Sequence, residues 1–392
     1  MKFLLALFLC AAPVQAQIYA DVSTTLGDFT IELYYDDSPK TVANFMTLAE
    51  GTRAWIDPAT GIVRNNTPYY DGIIFHRVIE GFMNQVGSPQ GTGADGPGYS
   101  FPDEVDNDVI HDAPYLLSSA NSGPNTNGSQ MFITVDATPW LDGLHTVFGK
   151  VTSGTDIIDT INQVPVNGSR PIDEVSITGI VIRKVGVEAN AFDPLAQNLP
   201  EVNQQANSIA LDIDEETNIG TPFLNASQPA RSSLVVFSSS DLSSWVETRR
   251  HLDANASSLN RFDFTAPLPS QQFYRAALIN WPSEAAFPSD LTNYVITINS
   301  NAGDFVIRLG DVPATMDFTA VEGPHLIDFS STTIETDGYG ATLLIFTDTL
   351  VPIRFRLGAD SPIGALPTGR MSGTAFNAEN TSFNGTFTFS NP

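Results

Sequence analysis

The stretch Phe75 to Gln85, FHRVIEGFMNQ, decides how the rest of the chain is read. It is a short apolar run with one arginine standing on it. The two-residue period of a strand puts Phe75, Arg77 and Ile79 on one face and His76 and Val78 on the other, which places Arg77 among apolar neighbours. A guanidinium keeps its charge there and cannot act as a proton-transfer base, so any chemistry it does is electrostatic, through hydrogen bonds. His76, on the opposite face, reads as structural.

Two later stretches supply what such an arginine needs. Ser118 to Thr134, SSANSGPNTNGSQMFIT, puts small and amide residues ahead of a strand carrying Phe132, and Trp140 to Gly149, WLDGLHTVFG, adds an indole, a leucine and a histidine. FHRVIEGFMNQ, ANSGPNTNGSQMFI and WLDGLHTVFGKV resemble, in this order, the motifs of cyclophilin-type peptidyl-prolyl isomerases, and the resemblance runs from about Tyr19 to about Val185. It implies a mainly β fold: a closed cyclophilin-like β-barrel with two capping helices, followed here by one or two smaller β-rich domains. It also implies an isomerase that uses no cofactor and no metal and acts on proline-containing polypeptides.

Rotating a peptide bond meets a barrier of about 18–20 kcal/mol because the nitrogen lone pair is delocalised into the carbonyl. A catalyst of that rotation must hold the twisted amide better than either planar form. A fixed cationic donor aimed at the pyramidal proline nitrogen does so, and Arg77 is the candidate, with Gln85 holding it or bonding the substrate carbonyl. Phe82, Met83, Phe132 and Leu141 are expected to form an apolar slot for the pyrrolidine ring. Backbone groups at Ala120 and Asn121 are expected to pair with the substrate chain as an added strand. Gln130, Trp140 and His145 complete the rim. Each matches the family motif in place; the visible departures are Met131 beside Phe132 and an insertion, Trp55 to Pro68, that can alter substrate access. A Ser-His-Asp hydrolase is disfavoured, because the chain has no G-x-S-x-G elbow and Ser129 sits in the NGSQ piece.

The remainder sets context. A chain of 392 residues suggests two or three domains. Its formal net charge of −26 argues against nucleic acid, whose phosphates need clustered Lys and Arg. The N-terminus, MKFLLALFLCAAPVQAQ, has the lysine, apolar run and small residues of a secretory signal with cleavage near Ala16, which sends the product to periplasm or medium. A lipoprotein signal competes through Cys10, but Leu9 precedes it where a small residue is wanted. Removal of the leader leaves no cysteine. No later run is long and apolar enough for a membrane span.

Along the mature chain, residues 17–188 are expected to form the isomerase domain. Tyr19 to Ser23 and Phe29 to Tyr34 read as a hairpin, Ser38 as the cap of a helix opening at Pro39, Thr155 to Val164 as a second helix and Val175 to Val185 as the closing strand. Gly87 to Gly98 reads as a flexible turn and Asp103 to Asp108, DEVDND, as a solvated acidic turn. Residues 189–230 read as a linker and the start of the next unit, 231–285 as a small β module, and 290–392 as a β-rich domain. The SSDLSSW and QFYRA pieces of the module resemble a small β-module recurring in exported bacterial proteins. Tyr294 to Leu309 echoes the first hairpin around a shared Gly-Asp-Phe and reads as a reused hairpin turn. The rival functional reading is an exported binding protein whose C-terminal half engages a cell-surface partner.

Overall fold

The computed structural model describes residues 16–204 without a break and, from 209 to 390, the strands and part of their connections. The expected leader as far as residue 15, Cys10 included, lies outside the described residues.

The first unit is built on one antiparallel sheet. Its chain order is β1 (Gln17–Thr24), β2 (Gly27–Leu33), α1 (Pro39–Ala49), β3 (Trp55–Ile56), β4 (Val63–Arg64), β5 (Arg77–Ile79), β6 (Met83–Val86), β7 (Leu116–Ser119), β8 (Met131–Thr134), β9 (Val147–Ser153), α2 (Thr155–Asn162), β10 (Val166–Asn167), β11 (Arg170–Pro171) and β12 (Ile177–Val185). Eight of these strands pair in the order β12-β1-β2-β9-β7-β8-β6-β5, and the sheet curls so that its two outer strands approach each other. Just before them Ile74 bridges Ser176, and Phe75 N–H donates to the Val175 carbonyl at 2.8 Å. Alternation in β1, where Ile18, Ala20 and Val22 are buried between partly exposed neighbours, aims one face at a core shared with Phe45, Met46 and Leu48 of α1. Helix α2 adds Ile158 and Ile161 to the same core.

That seam corrects the face expected for Arg77. Strand β5 begins only at Arg77, because Phe75 is engaged with Val175 at the seam and turns into the core. Val78 is buried in that core, whereas Arg77 is exposed. The guanidinium therefore stands on the outer face and not among apolar neighbours.

Two further expectations are corrected by contacts distant in sequence. Ser38 does not cap α1; its hydroxyl donates to the Val147 carbonyl at 2.8 Å. The free N–H groups of Lys40 and Thr41 donate instead to the two carboxylate oxygens of Glu104, at 3.0 and 2.8 Å. An anion at a helix N-terminus also meets the positive end of the helix dipole. The DEVDND turn is thus a structural brace: besides Glu104, Asp103 accepts from Asn125 N–H at 2.9 Å.

Beyond β12, residues expected as a linker are built into the fold. Val187–Ala191 is a short helix whose Ala189 is fully buried in the first core, and Glu201–Gln204 pairs with Phe273–Asn280. Phe273–Asn280 in turn pairs with Ser232–Ser239, and Ser232–Ser239 with Val246–Asp253. A nine-stranded antiparallel sheet follows, between Val295 and Ser390. Its first hairpin joins Ser300 to Gly303 in the same two-residue register that joins Thr24 to Gly27, and the sheet continues as hairpins.

The units share a second core. Ala43, Ile56, Val63, Tyr99 and Phe101 of the first unit cluster with Leu199, Val202, Val235, Phe237, Trp245, Ala277, Ile279 and Trp281, and with Tyr339 of the last sheet. The insertion Trp55 to Pro68 is the mount: Ile56 and Val63 lie in this core and Gly61 packs on the Phe237 ring, where a Cβ would come within 2.6 Å. Arginines tie the seams by donating to carbonyls, Arg275 to Thr60 at 2.6 Å, Arg53 to Pro200 at 2.8 Å and Arg356 to Pro124 at 3.1 Å. Arg370 pairs with Asp103 at 3.4 Å.

Candidate active site

Strand register places the candidate residues in one row. Arg77 on β5 stands opposite Gln85 on β6, Gln85 opposite Phe132 on β8, and Phe132 opposite Ser118 on β7. Side chains directly opposite in adjacent strands project to the same face, so this rung crosses four strands in contact. Met83 precedes Gln85 by two positions on that face and is buried.

A chain of amides runs from the guanidinium. Arg77 Nη1 donates to Gln85 Oε1 at 3.1 Å, and Gln85 Nε2 donates to Gln130 Oε1 at 3.0 Å. Gln130 Nε2 donates in turn to the Gly93 and Asp95 carbonyls, both at 2.9 Å, and the Gln130 backbone carbonyl accepts from Ala120 N–H at 3.0 Å. The glycine-rich stretch, expected only as a flexible turn, is therefore the anchor of this chain. It is itself held by the Ser88 hydroxyl, which accepts from the N–H groups of Thr92 and Gly93 and bonds the Asp95 carboxylate.

The aromatic part lies beside it. Phe132 is nearly buried, edge-on to His145 at 5.6 Å and stacked on His111 at 6.2 Å with the planes 8° apart. His145 Nδ1 donates to the Ser119 carbonyl at 3.0 Å, which leaves Nε2 as the unprotonated nitrogen of a neutral ring. Burial pushes its pKa down, and His111 nearby pushes the same way against the Ser119 carbonyl. Phe82, in the turn between β5 and β6, is half-buried with its ring 5.8 Å from that of Trp140, which is 63% exposed. Leu141 follows Trp140 in a single helical turn, and its carbonyl accepts from the N–H groups of Leu144 and His145. Asn121 Nδ2 donates to the Leu144 carbonyl at 2.8 Å, tying the Ala120–Asn121 segment to the same loop.

Sequence reasoning passed over a support behind Phe132. His111 Nδ1 lies 2.9 Å from Asp142 Oδ1 and its Nε2 3.0 Å from Ser118 Oγ. The order Ser, His, Asp is that of a hydrolytic triad, but Ser118 is fully buried and has no route to a substrate. Its place on the rung makes it part of the packing that fixes the Phe132 ring. Nothing in the spacing of these three residues signals the contact. Ser129 is likewise structural, donating to the Gly87 carbonyl at 2.8 Å and bonding the Tyr69 hydroxyl at 2.6 Å.

The curled antiparallel sheet thus presents a guanidinium held by an amide, with the Phe132 ring on the same rung and the His145 ring against it. The family model described as cyclophilin type peptidyl-prolyl cis-trans isomerase/CLD matches residues 19–182. Over 170 residues the chain is 47% identical to peptidyl-prolyl cis-trans isomerase B of Streptomyces anulatus, covering 42% of this chain and 97% of that one. Peptidyl-prolyl cis-trans isomerase A of Mycobacterium tuberculosis is 47% identical over 167 residues, 42% of this chain and 91% of its own length. Peptidyl-prolyl cis-trans isomerase-like 1 of Emericella nidulans is 46% identical over 169 residues, 42% of this chain and 94% of its own length. The chain belongs to the cyclophilin-type peptidyl-prolyl cis-trans isomerases. The matched region is the first unit alone; the C-terminal β units lie beyond it.

Proposed function

We propose that this isomerase acts on Xaa-Pro bonds of exported proteins as a folding catalyst, with Arg77 as the group that stabilises the twisted amide. The observation that carries the reading is the Arg77–Gln85 hydrogen bond on the rung beside Phe132. Gln85 fixes a donor that needs no proton transfer, so the site is set before substrate arrives and no reorganisation is spent at the moment of rotation.

Binding begins with the substrate backbone along Ala120 and Asn121 and the proline ring among Phe82, Met83, Phe132 and Leu141, with Trp140, His145 and Gln130 at the rim. As the bond turns, the proline nitrogen loses its share of the carbonyl π-system and its lone pair becomes an acceptor. Arg77 donates to that lone pair, an interaction which neither planar isomer can form, so the donor lowers the barrier without deepening the ground state. Buried Met83 and Phe132 seat the pyrrolidine ring, while Arg77, exposed on its strand, acts as a donor that Gln85 holds in place.

Export rests on the leader-like N-terminus, MKFLLALFLCAAPVQAQ. The test is to recover the protein from the compartment outside the cytoplasm, sequence its N-terminus and add it to a refolding protein whose slow phase is a proline isomerisation. A chain beginning near Gln17 that shortens the slow phase is the expected result. A cytoplasmic chain retaining Met1, or an unaltered slow phase, would reject the reading.

A further inference from the structure

The last sheet meets the first unit at two loops that carry candidate substrate-binding groups. Its strands Pro352–Ala359 and Thr368–Ala375 pair antiparallel, with Arg356 opposite Ser372 and Gly358 opposite Arg370. Opposite and alternate residues share a face, so these four project to one side, while Phe355, Leu357 and Met371 are buried on the other. The first face closes on residues 123–125. A Cβ on Gly358 would come within 2.6 Å of the Pro124 side chain, and one on Gly123 would run into Ser372 Oγ and lie 2.9 Å from Arg356 Cβ. Glycine at both positions lets the two backbones approach.

Arg370 adds a polar tie to this packing. Its Nη1 donates to the Gly143 carbonyl and its Nη2 to Asn125 Oδ1, each at 3.4 Å, and Nη2 is also 3.4 Å from Asp103 Oδ2. The Asp103 side chain is fully buried, and a buried carboxylate is tolerated only with a cation or several donors around it. Those donors include Asn125 N–H at 2.9 Å and Asn121 Nδ2 at 3.3 Å. Asn121 Nδ2 also donates to the Leu144 carbonyl at 2.8 Å. One guanidinium thus joins the Ala120–Asn125 segment to the loop that carries Trp140, Leu141 and His145. The chain of amides that aims Arg77 runs through Gln85 and Gln130 and has no member in this network. Arg370 lies outside residues 19–182, in a part of the chain that the family match does not reach.

We infer that Arg370 is a positioning residue for the isomerase: from the C-terminal sheet it holds the two loops of the substrate groove in register, so that the C-terminal half acts on client binding without touching the client. The inference deepens the proposed function and rests on its placement of the client backbone along Ala120 and Asn121. A brace that sets the groove in advance acts equally on the planar and the twisted amide, because the donor that tells them apart is held elsewhere. Its loss therefore shows in KM and not in kcat.

The test uses the full chain and cis/trans exchange of a peptide with one Xaa-Pro bond, followed over a range of peptide concentrations so that KM and kcat separate. Arg370→Met keeps a long stem on this partly exposed side chain and removes the guanidinium. It should raise KM about three- to tenfold, the scale of a lost hydrogen bond, and leave kcat within about twofold. Arg370→Lys returns a cation to Asp103 and should raise KM less. Amide exchange at Asn125, whose N–H is bonded to Asp103, should quicken in the same order, and thermal melts fix a temperature at which all three proteins are folded. An unchanged KM in Arg370→Met, a fall in kcat in place of the rise in KM, or equal effects of the two variants would overturn the inference and leave the isomerase intact. The donor reading fails on a different variant, through an Arg77→Ala as fast as the wild type.

Discussion

Gln85 receives a hydrogen bond from the Arg77 guanidinium at 3.1 Å and passes one to Gln130 at 3.0 Å, so the charge on β5 is aimed by an amide on the neighbouring strand. Gln85→Leu removes both bonds and keeps the side-chain volume. The expected result is a roughly tenfold loss in kcat/KM with an unaltered melting temperature, the scale of one hydrogen bond to a charged group. Steady-state assay of a proline peptide beside a thermal melt checks it; undiminished activity would show that Arg77 needs no aiming.

The docking of the C-terminal half is a packing event centred on Phe237, which is 3% exposed and faces Gly61. Phe237→Ala should cost about 3–5 kcal/mol, the range for deleting a buried ring. Denaturant unfolding of the full chain should show the loss in the transition that includes the isomerase unit, because the cluster contains residues of both. A loss confined to a separate C-terminal transition would refute the shared core.

Glu104 is the N-terminal cap of α1 from 64 residues away in sequence. Glu104→Ala strands the Lys40 and Thr41 N–H groups and should destabilise the first unit by about 1–2 kcal/mol, the upper part of the range for a lost cap. Ser38→Ala, by contrast, leaves those two N–H groups capped. Equal effects on the Lys40 and Thr41 amide exchange rates in the two variants would contradict this assignment.

Stability should fall in mild acid. Burial pushes the pKa of His76, His111 and His145 below the ordinary value of 6.5, against Asp95 for the first and Asp142 for the second. A histidine held low in the folded state contributes stability that is whole above its unfolded pKa and is lost as pH falls below about 6.5. Glu104 opposes this in a more acidic window, because burial raises its pKa above 4.5 and favours the folded state as its carboxyl protonates. The melting temperature should therefore hold above neutrality and decline from about pH 6.5 downward. Both ring nitrogens of His76 are buried without a hydrogen-bond partner, so His76→Leu should flatten the slope. A slope unchanged by that substitution would remove His76 from the account.

What was legible in the sequence was local. The hairpin around Gly27 and the helices opening at Pro39 and Thr155 announce themselves through turn residues and periodicity within about a dozen positions, and the three motif stretches through their resemblance to the cyclophilin family. The exposure of Arg77 was not, because Phe75 leaves the strand period to meet Val175, a partner 100 residues away. The same holds for Glu104 over α1 and for the insertion. Ile56 and Val63 are too few for a pattern, and their partners Val235 and Phe237 lie more than 170 positions on. Turn signals show where a chain bends, but the surface that covers a short apolar loop is set by distant packing.

One donor, Arg77, carries the proposed catalysis. Cis/trans exchange of a proline peptide should be measured with the wild type and Arg77→Ala at equal concentration, the exposed position of Arg77 making the variant's fold safe to compare. Arg77→Ala should lower kcat/KM roughly a hundredfold, the lower end for removing a preorganised transition-state donor. Rates that match the wild type would contradict it.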